Sequence, residues 1–107
     1  LRNFKPKDIK KIIDQTGLPT VYRSWKRGEA PDLPYIIYYQ ATTETLGADD
    51  ITYYARPDYN IELYSNVKDI ASEEKIERAL TENKIYYEKS EDIDIPKEGF
   101  MEIIYYI

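Results

Sequence analysis

The stretch Tyr59-Asn60-Ile61-Glu62-Leu63-Tyr64-Ser65 alternates without a break, with Tyr59, Ile61 and Leu63 on one side and Asn60, Glu62 and Tyr64 on the other. A period of two marks an extended strand with one buried face. Such a strand needs a second layer to cover its apolar side, so the rest of the chain must supply a sheet and something packed on it. Two segments read as that second layer. Pro6 to Thr16 has proline in its first turn, Gly17 just past its end, and Ile9, Ile12 and Ile13 at helical spacing. Its outer side carries Lys7, Lys10, Lys11 and Asp14. A second helix is expected from Ser72 as N-cap, with Glu73 and Glu74 in the first turn and Ile76, Ala79 and Leu80 as its buried stripe. Asn83 is expected to end it in a left-handed conformation.

Further strands are expected at Thr20–Lys26, Tyr35–Ala41, Ile51–Arg56, Ile85–Lys89 and Phe100–Ile107. Two prolines and Gly28 make residues 27–34 a loop. Tyr35–Ala41 is apolar or aromatic on both sides at first, which suits a central strand or one whose outer side is covered by a partner. It pairs with Ile51–Arg56 as a long hairpin with an acidic tip at residues 42–50. The expected architecture is a single α+β domain, residues 1–107: a mostly antiparallel sheet with both helices packed on one face.

Among 107 residues there is no histidine and no cysteine. The commonest catalytic bases, thiol nucleophiles and zinc ligands are therefore missing. Asp49-Asp50 and Glu91-Asp92 are adjacent pairs whose side chains point apart on extended chain. Glu62 and Glu102 read as the polar side of alternating strands. Glu88, Glu91, Asp92 and Asp94 lack the spacing of a calcium loop, and the isolated glycines make no phosphate cradle. No catalytic, metal or cofactor-binding residue is expected, and no membrane partner, since no apolar run approaches about 18 residues. The opening Leu1-Arg2-Asn3-Phe4-Lys5 has no apolar signal region, and the absence of a leading Met suggests that a few residues precede it.

Charge is segregated along the chain. Residues 1–27 carry a net +6, residues 28–55 a net -5 and residues 56–107 a net -6. The overall -5 argues against general nucleic-acid binding. The separation itself suits a protomer with a basic and an acidic side, able to steer head-to-tail contact with copies of itself.

Twelve tyrosines sharpen that expectation. Tyr38-Tyr39, Tyr53-Tyr54, Tyr86-Tyr87 and Tyr105-Tyr106 are adjacent pairs in expected strands, so each sends one ring inward and one outward. Inward rings are ordinary core. Outward rings make an aromatic patch of the kind that partners cover.

The stretch Thr16-Gly17-Leu18-Pro19, then Tyr22, then residues 28–38 resembles small proteins of tailed-phage morphogenesis clusters. So do residues 59–64, residues 85–89 and the closing Met101-Glu102-Ile103-Ile104-Tyr105. These proteins are the tail terminators, or tail completion proteins, of long-tailed phages with non-contractile tails. The resemblance implies an α+β fold and no enzymatic activity. It implies a virion structural role at the head–tail junction, assembled in the bacterial host cytoplasm. The protein would form a ring, usually of six copies, on the head-proximal end of the tail tube. Its partners would be itself, the tail tube protein and the head connector or stopper, with DNA passing through without specific binding.

On that reading, Lys7, Lys10, Lys11, Trp25, Tyr38, Tyr54 and Tyr64 are the expected inter-subunit contacts. Glu29, Asp32, Glu44, Asp49 and Asp50 are the expected channel-facing or tube-facing acids, where like charge would keep DNA from sticking. A stopper or adaptor ring of the same junction, or a small monomeric inhibitor or adaptor, are the alternatives.

Overall fold

A computed structural model describes residues 4–41 and 58–107. It is α+β, as expected. Helix α1 spans Pro6–Ile13 and runs into a 3-10 turn at Asp14–Thr16; α2 spans Ile70–Glu82. The strands are β1 (Thr20–Tyr22), β2 (Tyr35–Ala41), β3 (Asp58–Ser65), β4 (Glu88–Lys89), β5 (Ile93–Ile95) and β6 (Phe100–Tyr106). Among the described residues the sheet order is β1-β2-β3-β6-β4, with β5 also paired to β6. All pairings are antiparallel except β1 with β2. The expected strand Ile51–Arg56 and its acidic tip lie outside the described residues. The antiparallel partner of β2 among them is β3, in register from Tyr35↔Tyr64 to Ala41↔Asp58.

Both helices lie on one face. Ile9, Ile12 and Ile13 of α1 and Ile76, Ala79 and Leu80 of α2 join one core with Ile36 and Tyr38 of β2, Tyr59, Ile61 and Leu63 of β3, and Ile103 and Tyr105 of β6. The alternation of β3 is realised in full: Tyr59, Ile61, Leu63 and Ser65 are buried, while Asn60, Glu62 and Tyr64 are half-buried. No helix among the described residues is long and apolar enough to cross a membrane.

The element ends differ from expectation for local reasons. Gly17 takes the left-handed conformation after the 3-10 turn, φ 78°, as its lack of a Cβ permits. β1 stops at Tyr22 rather than Lys26, because Arg23 adopts φ 71°. Its N–H donates to the Tyr38 carbonyl, and the Ser24 N–H folds back to the Tyr22 carbonyl. The N-cap of α2 is Asp69, whose carboxylate accepts from the Ser72 N–H at 3.1 Å and the Ser72 hydroxyl at 2.8 Å. Ser72 is thus the partner of the cap and not the cap. At the other end Lys84, not Asn83, takes positive φ, and the Asn83 amide instead donates to the Ala79 carbonyl at 2.7 Å. Tyr86 and Tyr87 precede β4 and are not in a strand.

An ion network fastens α2 to the β4–β5 region. The Glu73 side chain is 4% exposed and accepts from Lys68 and Lys89. Lys89 also meets Glu77 at 2.8 Å, and Lys68 meets Asp92 at 2.8 Å. The Tyr105 hydroxyl rises from the sheet to donate to Glu77 at 2.7 Å. A buried carboxylate is tolerable only with such compensation.

Candidate functional site

Register determines which side chains share the face away from the helices. Directly paired residues project to the same side, so this outer face holds three rows across β2, β3 and β6. The first is Tyr35, Tyr64 and Glu102; the second is Ile37, Glu62 and Ile104; the third is Tyr39, Asn60 and Tyr106. Ile93 and Ile95 of β5 and Phe100 of β6 extend it on one side, and Val21 of β1 on the other. Among the described residues no helix packs on this face, and most of its side chains are half-buried against each other.

Its aromatic rings are arranged as a stripe. Trp25 meets Tyr35 edge-on at 5.7 Å, Tyr35 meets Tyr64 at 5.6 Å, and Tyr64 meets Phe100 edge-on at 6.2 Å. These separations are those of favourable aromatic pairs. Arg23's left-handed turn precedes Trp25 and lets the loop after β1 bring that ring onto Tyr35. Trp25 Nε1 is enclosed with no acceptor among the described residues.

Glu62 occupies the middle of the middle row. Each of its oxygens accepts a tyrosine hydroxyl, from Tyr39 at 2.8 Å and Tyr64 at 2.8 Å. The Asn60 amide donates to the Tyr39 hydroxyl at 3.2 Å. Glu102 is the diagonal neighbour of Glu62 on β6. Burial raises its carboxyl above the ordinary carboxylate range, and repulsion from Glu62 adds to the rise. Burial and the same two acids push the Tyr64 hydroxyl up as well. Among the described residues neither Glu62 nor Glu102 is in an ion pair. Two carboxylates without a cation, framed by apolar and aromatic side chains, make an electrostatic socket for a positive group.

The expected contact residues divide. Trp25 and Tyr64 are both on the outer face. Lys7, Lys10 and Lys11 are exposed on α1, on the opposite side of the sheet, and Lys10 is engaged by Asp14 at 3.0 Å. Tyr38 is a correction: it is 3% exposed in the core beneath the helices and touches Tyr22, so it presents nothing to a neighbour. Its pairing with Ile61 on the covered face decides this. Glu29 and Asp32 are exposed in the β1–β2 loop. Tyr54, Glu44, Asp49 and Asp50 lie outside the described residues. By alternation alone Glu62 and Glu102 each read as the polar side of a strand. Their common spacing from the apolar positions was the available signal; their adjacency depends on the β3–β6 register.

No cluster of metal-ligating side chains occurs among the described residues. Compared with protein-family models, curated proteins and solved structures, the chain matches none.

Proposed function

We propose that this protein is an assembly component that works by surface complementarity, and specifically a tail terminator: a ring, of six copies in the usual form, at the head–tail junction of a phage virion. It is assembled in the bacterial host cytoplasm. It ends tail-tube growth, joins the tube to the head connector and lets DNA pass. It carries out no chemistry of its own.

The observation that carries this reading is the outer face of the sheet. One face is covered by two helices; the other presents aromatic rings around carboxylates that lack a cation among the described residues. Apolar surface of that kind is characteristic of a contact between proteins. The family resemblance supplies the specific role, and the α+β fold is compatible with it. Glu29 and Asp32 are exposed, which is compatible with acids on a channel or tube surface.

Electron microscopy of particles made without this gene tests the role. The terminator reading expects overlong or ragged tails unattached to filled heads. Normal-length tails beside heads that leak DNA would move the protein to the stopper position. Fully normal particles would discard the morphogenesis reading in favour of a small monomeric binding module.

A further inference from the structure

We propose that Glu62 and Glu102 receive Lys7 and Lys11 of a second copy of this chain, so that α1 of one molecule lies across the outer sheet face of the next. The proposal deepens the assembly reading and rests on it for its biological setting. Its geometry stands on four observations.

The charges complement each other. Among the described residues Glu62 and Glu102 have no cation partner, and Lys7 and Lys11 are exposed and in no ion pair. Lys10, by contrast, is already bound to Asp14. The spacing also agrees. Lysines four residues apart on a helix face are separated by about 6 Å, and diagonal neighbours across two strands by about 7–8 Å.

The surroundings suit a lysine. Ile37 and Ile104 flank Glu62 in register and can cover the methylene stems, while the Tyr39 and Tyr64 hydroxyls hold the Glu62 carboxylate in place. The two surfaces lie on opposite sides of the sheet, because α1 packs on the covered face. A contact between opposite sides is heterologous, so each copy keeps one free surface of each kind and the contact repeats. That is the requirement for a ring rather than a closed pair.

Two variants of the full chain test the pairing by sedimentation velocity. The double variant Lys7→Glu/Lys11→Glu keeps the sheet face and loses the cations. The single variant Glu102→Lys keeps the helix and spoils the socket. The wild-type chain is expected to associate with rising concentration and to dissociate as salt is added. Each variant alone should remain monomeric. An equimolar mixture should form a 1:1 dimer and nothing larger, because one complementary pair of surfaces survives.

A mixture that stays monomeric, variants that associate like wild type, or a wild-type chain that never associates would each overturn the proposal. Circular dichroism checks the fold. Should Glu102→Lys not fold, Glu102→Gln replaces it and is expected to weaken wild-type association about tenfold; unchanged association would overturn the proposal. The dimer readout is independent of particle morphology. A dimer with normal tails would sink the terminator role alone, and a tail defect without the dimer would sink this contact alone.

Discussion

Glu62 and Glu102 are diagonal neighbours across the β3–β6 ladder, on the side of the sheet that neither helix covers. Burial, and then repulsion from Glu62, raises the Glu102 carboxyl above its ordinary value of 4.5. The folded protein therefore holds the Glu102 proton more tightly than the unfolded chain does.

That asymmetry has a definite sign. The native state binds more protons in the interval just above 4.5, so Glu102's contribution to stability is full below that value. It is lost as pH rises through the raised folded value, and flat beyond it. Glu102→Gln should remove this fall. Chemical denaturation of both proteins across the acid range checks it, and parallel curves would refute the placement of Glu102.

Glu77 works in the opposite direction. Burial disfavours its charge, but hydrogen bonds from Lys89 and Tyr105 and the nearby lysine charges outweigh that and lower its carboxyl. Its contribution is present above 4.5 and disappears as pH falls through the lower folded value. Replacing Tyr105 by Phe removes one of those bonds and should cost about 1–2 kcal/mol near neutral pH. The stability difference should shrink in acid.

Lys89 joins Glu73 to Glu77. Lys89→Ala leaves the enclosed Glu73 carboxylate with Lys68 as its remaining cation among the described residues. A loss of about 2–3 kcal/mol is expected, below that of a fully buried pair because Lys89 is itself partly in water. Urea titration measures it, and a double-mutant cycle with Glu73→Gln should show strong coupling.

Leu63 is 1% exposed at the centre of the covered face. Leu63→Ala should cost about 2–5 kcal/mol through lost transfer energy and the cavity left behind. Ile37→Ala, on the other face, should cost far less in the isolated protein. The contrast between the two, read from denaturant midpoints, tests which side of the sheet is core.

Gly17→Ala isolates a backbone effect. Nothing lies within 4 Å of a Cβ built there, yet φ is +78°. The substitution adds no clash and should still cost about 1 kcal/mol from the left-handed conformation. A neutral or stabilising result in thermal unfolding would place the turn elsewhere.

Much of the frame was legible because it depends on short-range periodicity. The isoleucine spacing of α1, the alternation of β3 and β6 and the Ile76-Ala79-Leu80 stripe of α2 all lie where their patterns require. Terminal details were less legible. Asp69 outcompeted Ser72 as cap because both oxygens of its carboxylate find donors on Ser72. β1 was shortened by a left-handed Arg23, a conformation that sequence rarely announces for a residue with a side chain.

Alternation by itself determined that β3 and β6 would each have one apolar and one mixed side, and helical spacing determined that two helices would seek the apolar one. Those are properties of neighbouring residues. Which tyrosine of a pair faces the core was decided by strand pairing: Tyr38 opposite Ile61 went inward, Tyr39 opposite Asn60 went outward. The meeting of Glu62 with Glu102 was likewise decided only by tertiary structure. The two are forty residues apart along the chain, and a slip of one residue in the β3–β6 register would send one of them to the other face.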